Sequence, residues 1–168
     1  MRPTDIGAGE RVGIDANVFV YHFCGGSRQA TALLARVERA EVAAVTTQEA
    51  LLEVMHRLMA VEAAQAGLIS GASPYRSLKR NPQVVRRLQN YYRDTLSIAE
   101  MGVEVLPPLP HPLRASQPFR ERFGLLTRDS VLAAALADAG IPTLVTADRD
   151  FTRVRGLRVC LLTDVTGP

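Results

Sequence analysis

Short apolar runs alternate along the chain with longer stretches in which apolar residues recur every three or four positions. The runs at residues 12–14, 42–45, 103–106, 144–145 and 158–162 are too short for helices and read as strands. Behind Ser27, a residue type that caps helices, Ala30, Leu33, Leu34 and Val37 form one helical stripe. Leu51, Leu52, Val54, Met55, Leu58 and Met59 form a second, capped by Thr46 or Thr47 and stopped by Gly67. Asn81 and Pro82 read as the cap and first residue of a third helix. Its stripe of Val84, Leu88, Tyr91, Tyr92, Thr95 and Ile98 faces inward, which puts Arg86 and Arg93 together on the outer face. The proline-rich residues 107–112 read as a loop, because proline supplies no ladder donor. Thr127 caps a last helix that runs to about Ala139 and ends at Gly140 and Pro142. Strands alternating with helices predict an α/β fold with a parallel, doubly wound sheet.

Composition narrows the class. At 168 residues the chain can bury roughly 70% of its unfolded surface, and it reads as one domain over residues 1–168. Apolar residues make up 47%, which excludes a disordered or fibrous chain. The first ten residues hold no apolar leader, and the longest apolar run, residues 131–137, falls far short of a bilayer. A cytoplasmic, non-membrane protein is expected. Cys24 and Cys160 have no metal-ligand spacing and read as buried, reduced thiols.

The net charge of +3 says little, but its distribution says more. Residues 76–93 carry six basic side chains and no acidic one, with Tyr75, Tyr91 and Tyr92 beside or among them. Such a stretch is either a solvated helix face or a surface that holds phosphates and stacks on bases.

Acidic residues fall where α/β sheets gather chemistry. Asp15 and Asp148 each follow an apolar strand, and functional groups collect beyond the carboxyl ends of such strands. Asp129 stands in the first turn of its helix on the face of Leu132, Ala133 and Leu136, so it points toward the sheet end. Three carboxylates brought to one edge repel each other unless a divalent cation neutralises them, and all-oxygen ligation suits Mg²⁺ or Mn²⁺. Plainer roles exist for each. Asp15 can serve a turn, Asp129 can answer the helix dipole, and Asp148 and Asp150 can cap a short helix. Glu53, opposite the apolar stripe and four residues before Arg57, reads as half of a surface ion pair.

Taken together, four segments resemble the PIN-domain family, and in particular VapC-like toxin ribonucleases of type II toxin–antitoxin systems. Residues 14–21 (IDANVFVY) match the opening strand and first catalytic Asp. Residues 46–54 (TTQEALLEV) resemble the second motif and place the family's Glu at Glu53. Residues 126–129 (LTRD) resemble the third, with Asp129 as its acid. Residues 144–151 (LVTADRDF) resemble the closing T-x-D-x-D-F signature. Residues 11–68 and 125–162 match closely, whereas a helical insertion over about 71–123 matches nothing specific.

The resemblance implies a three-layer α/β/α fold with a central parallel sheet of four or five strands flanked by helices. It implies catalysis by Asp15, Glu53, Asp129 and Asp148 around Mg²⁺ or Mn²⁺, with Asp15 and Asp129 as direct ligands. Asn17 and Thr146 would orient carboxylates by hydrogen bonds, Asp150 would be a fifth acid or a cap, and Arg86 and Arg93 would hold the RNA backbone. The activity implied is endoribonuclease cleavage leaving a 5′-phosphate, performed by a homodimer that a cognate antitoxin protein silences. The competing expectation is a PIN module that binds RNA without cutting it, which calls for the loss of one of the four acids. A haloacid-dehalogenase phosphatase is excluded by Asn17 and Phe19, and a dinucleotide-binding loop by glycines that precede the first strand. His22, His56 and His111 lie in unrelated segments without zinc spacing.

Overall fold

The computed structural model describes residues 1–69 and 73–167, so residues 71 and 72 at the start of the expected insertion lie outside the described residues. Five parallel strands, β1 (Arg11–Ile14), β2 (Ala43–Thr47), β3 (Glu104–Leu106), β4 (Thr143–Thr146) and β5 (Arg158–Leu161), form one sheet in the order β3-β2-β1-β4-β5. All five strand expectations hold. Eight α-helices lie among the described residues: α1 (Ala16–Phe23), α2 (Arg28–Glu38), α3 (Gln48–Gln65), α4 (Pro74–Arg80), α5 (Pro82–Val85), α6 (Asn90–Glu100), α7 (Pro112–Phe123) and α8 (Thr127–Asp138).

Strand alternation sorts the core into two layers. Val12 and Ile14 of β1, Ala44 of β2, Val145 of β4 and Cys160 of β5 pack with α1, α2 and α3 on one face. Val45, Leu144 and Leu106 face the other way, onto Leu132, Ala133 and Leu136 of α8. Gly13 also faces α8, and a Cβ there would lie 2.5 Å from Leu136 Cδ2, so its glycine permits the close approach of helix and strand. The result is the three-layer α/β/α arrangement.

Capping chemistry explains several boundaries. Ser27 and Thr47 accept hydrogen bonds from the Ala30 and Ala50 amides, opening α2 and α3 as expected. Gly140 stops α8 in the left-handed conformation (φ 66°). Thr127 is not the cap of α8; Leu126 takes that position, and the Thr127 carbonyl instead accepts from Ser130 Oγ at 2.8 Å.

Residues 71–123 depart most from expectation. The long helix expected after Pro82 is two helices, and Glu62 of α3 is the reason. Its carboxylate accepts from the Gln89 and Tyr91 amides at 2.9 Å each, which satisfies the free N–H groups of a new helix start. Leu88 turns into a small cluster with Ala60, Ala63 and Leu78. Asn81 caps nothing with its side chain, which donates to the Ser77 carbonyl. Tyr92, expected inward, is 56% exposed.

The proline-rich loop ends at His111, because Pro112 is the first residue of α7, a helix absent from the sequence reading. Arg120 ties α7 to α8, donating to Ser116 Oγ and Ser130 Oγ at 2.8 and 2.9 Å. Cys160 is buried and Cys24 only half-buried; both are free thiols. No described helix is long and apolar enough to cross a membrane.

Candidate active site

The chain runs from β1 toward β2 and β3 on one side, whereas β4 and β5 lie on the other, so the sheet has its topological switch between β1 and β4. Crevices open at the carboxyl ends of strands at such a point. Asp15 stands there, directly after β1, and its amide donates to the Val145 carbonyl of β4 at 3.1 Å. Thr146 ends β4 beside it.

Three side chains lock this corner. Asp15 Oδ2 accepts from Thr146 Oγ1 at 2.6 Å and from Asn17 Nδ2 at 2.5 Å. The Thr146 hydroxyl in turn accepts from Asn17 Nδ2 at 3.0 Å and from the Asp148 amide at 2.9 Å. Asn17 Oδ1 accepts from the Ala147 amide at 2.9 Å, which fixes which way the Asn17 side chain faces. Asp15 is therefore held in one orientation by donors from both α1 and β4.

Opposite it, α3 and α8 present their first turns. Asp15, Glu49, Glu53, Arg128 and Asp129 line one cleft over Thr47, Ala50 and Leu132. Burial pushes the Asp15 carboxyl up to about 7; the Thr146 hydrogen bond opposes this, while the charges of Glu53 and Asp129 add to it. Asp129 is pushed up to about 6, first by burial and then by Asp148, Glu53 and Asp150, with Arg128 opposing. Asp148 caps the 3-10 turn Arg149–Arg153 by accepting from the Asp150 amide, and its charge still reaches Asp129. Five carboxylates thus act on this corner: Glu53 and Asp129 on Asp15, and Asp148, Glu53 and Asp150 on Asp129.

The family model described as PIN domain matches residues 12–157. The chain belongs to the PIN-domain family. PIN domains are in general nucleases that use divalent metals. A chain of the structure titled "Crystal structure of VapBC2 from Rickettsia felis bound to a DNA fragment from their promoter" superposes with a TM-score of 0.57 at 14% identity, covering 89% of this chain and 96% of that one. A chain of a toxin–antitoxin complex from Klebsiella pneumoniae gives a TM-score of 0.54 at 17% identity, covering 92% of this chain and 99% of that one. These likenesses are of fold. No curated protein matches the chain significantly.

The PIN fold brings Asp15, Glu53 and Asp129 to one cleft, with Asp148 near enough for its charge to act on Asp129 and with Asn17 and Thr146 hydrogen-bonded to Asp15. It does not bring Asp150 in as a free acid, since Asp150 is paired with Arg153. Nor are Arg86 and Arg93 on one helix: Arg86 is the C-cap of α5 and Arg93 lies in α6. Arg93 lines a separate cavity with Tyr91, Tyr92 and Leu96 that has no residue in common with the acidic cleft. The cause is again the break that Glu62 stabilises between the two helices. Glu53 is not paired with Arg57; its Oε2 lies 3.1 Å from Arg128 Nη1.

Two cleft residues were given no role by sequence. Glu49 precedes Glu53 by one helical turn, and that spacing alone puts both on one face of α3. Arg128 had no such signal, because its partner lies on another helix. A larger cavity of about 340 Å³ at the opposite end of the sheet, between Ile141, Val154 and Leu157, is lined by no carboxylate.

The donor set suits a divalent cation in kind: oxygen ligands, mutual repulsion, and one nearby guanidinium as counter-charge. Among the described residues the acids do not form a closed shell of three or more ligands. Glu53 is turned to Arg128 instead.

Proposed function

We propose that this PIN domain is a Mg²⁺- or Mn²⁺-dependent endoribonuclease, the toxin of a VapBC-type pair, acting in the cytoplasm. The observation that carries the reading is the Asp15 carboxyl, oriented by Thr146 and Asn17 at a strand end and pushed up to about 7 beside Glu53 and Asp129. A fold has no structural use for acids so arranged, whereas a cation that draws them together removes the repulsion.

Asp15 and Asp129 would hold the cation, with Glu53 joining once it leaves Arg128 and Asp148 contributing charge. When bound, the cation supplies Lewis-acid polarisation of the phosphodiester and acidity for an attacking water. In the overall step a water oxygen bonds to phosphorus, the bond from phosphorus to the 3′ oxygen breaks, and that oxygen takes a proton. The products are a 5′-phosphate and a 3′-hydroxyl. Thr146 and Asn17 would keep Asp15 Oδ2 in place, because their side-chain donors are themselves held by β4 and α1.

The two similar structures are both toxin–antitoxin assemblies, which supports a cognate antitoxin protein as this chain's partner. The homodimer belongs to the same proposal, as does a single domain over residues 1–168. The test is incubation of the purified chain with a mixed structured RNA pool and Mn²⁺, Mg²⁺ or EDTA, beside Asp15→Asn. Metal-dependent cleavage lost in the variant is expected, with new ends that carry 5′-phosphates. Equal inertness of both proteins with every metal, while both still bind RNA, would put a non-catalytic RNA-binding module in its place.

A further inference from the structure

We propose that Arg128 is the site's own phosphate-binding residue, parked on Glu53 until a divalent cation takes that carboxylate. The inference rests on the nuclease reading and assigns a residue to it. Arg128 stands in the first turn of α8, where the helix dipole disfavours a cation. Its arm is 65% exposed, so packing does not hold it, and among the described residues its one ion pair crosses from α8 to Glu53 of α3. A surface pair of this kind contributes about 1 kcal/mol at most. Stability alone therefore gives little reason for an arginine at a helix start, over a cleft that needs its acids free.

Function gives one. The guanidinium and a divalent cation compete for the same Glu53 oxygen. Once the cation binds, Arg128 is left beside Asp129 at the cleft mouth with its ion-pair partner engaged. The incoming anion is then the RNA phosphate, whose oxygens match the planar fork of a guanidinium in a way a lysine ammonium does not. Glu53 and Arg128 would thus exchange partners together: carboxylate to cation, guanidinium to phosphate.

Calorimetric titration of Mn²⁺ into metal-free wild type, Arg128→Gln and Arg128→Lys tests the first half. The second is tested by binding of a 2′-O-methyl phosphorothioate oligonucleotide of mixed sequence to the Mn²⁺-loaded proteins. Arg128→Gln should bind Mn²⁺ about fivefold tighter, the worth of an exposed ion pair that no longer competes. It should bind the oligonucleotide about tenfold more weakly, with a salt dependence reduced by about one ion. Arg128→Lys should bind Mn²⁺ nearly as wild type does and lose only part of the oligonucleotide affinity. Mn²⁺ binding unchanged or weaker in Arg128→Gln, or unchanged oligonucleotide affinity, overturns the role of Arg128 alone. If wild type takes up no Mn²⁺ and matches Asp15→Asn, the nuclease reading fails and this proposal fails with it.

Discussion

Asp15→Asn should make the metal-free protein more stable at about pH 8 while removing most of the stabilisation that Mn²⁺ confers. The folded protein holds the Asp15 carboxyl at about 7 against an ordinary 3.8, so folding favours the protonated form. That contribution is fully present below about pH 3.8 and is lost as the pH rises through about 7. At about 1.4 kcal/mol for each factor of ten in acidity, the upper bound at alkaline pH is roughly 4 kcal/mol. Asp15 sits at the base of an open cleft, so water screens part of this, and Asn must still offer a carbonyl oxygen to Thr146 and Asn17. A gain of about 1–3 kcal/mol remains, which for a chain of this size raises the melting temperature by roughly 3–8 °C. Scanning calorimetry in EDTA at several pH values reads it directly: the gap should be open near pH 8 and closed near pH 4. With saturating Mn²⁺ the order should reverse, because only wild type keeps the full ligand set. A variant that is less stable than wild type near pH 8 in EDTA, or a gap that widens toward acid, would refute the idea that this carboxylate is held at a cost.

Thr146→Val keeps the shape but removes the donor to Asp15 and the acceptor for the Asp148 amide, so turnover should fall roughly 10–100-fold. The melting temperature should fall with it by the equivalent of about 1–3 kcal/mol, and Thr146→Ser should recover most of both. Wild-type turnover in the valine variant would show that the hydroxyl does not position Asp15. Gly13→Ala places a methyl 2.5 Å from Leu136 Cδ2 and 2.7 Å from Cδ1, in a side chain that is fully buried. Overpacking there should cost about 1–3 kcal/mol, measured by urea denaturation; an unchanged midpoint would mean that α8 yields freely.

The strands were legible because each is a short apolar run whose alternate residues feed two cores, as Val12 and Ile14 do on one face and Leu144 on the other. The helices over residues 74–123 were not, and the reasons differ. The break before α6 has its cause in Glu62, 27 residues upstream of Gln89, and no window of sequence contains both. α7 carries Pro118 in its interior and fully buries only Ser116; its apolar stripe is short, with Phe119 and Phe123 half-buried one turn apart. It docks on the α8 core through Phe119 and Phe123, and Arg120 adds a hydrogen bond to Ser130 Oγ, a polar attachment that periodicity cannot register.

The site divides along the same line. Asp15 and Asp148 were readable from position alone, since each follows a strand, and Asp129 from the face it shares with Leu132 and Leu136. Glu53 was not: a helical wheel turns it to solvent and hands it to Arg57, and only the resemblance to a family put it in the site. The structure shows why the wheel misleads. The outer face of α3 in its first turns is the inner wall of the cleft, because α8 begins opposite it and sends Arg128 across. Thr146 makes the same case from the other side. The resemblance implies that it orients a carboxylate, but which one depends on the parallel register that pairs Ile14 with Val145, which sets the end of β4 beside the end of β1. That register turns two separate strand-end residues into one hydrogen-bonded corner, so the chemistry resides in the pairing of the strands as much as in the acids they carry.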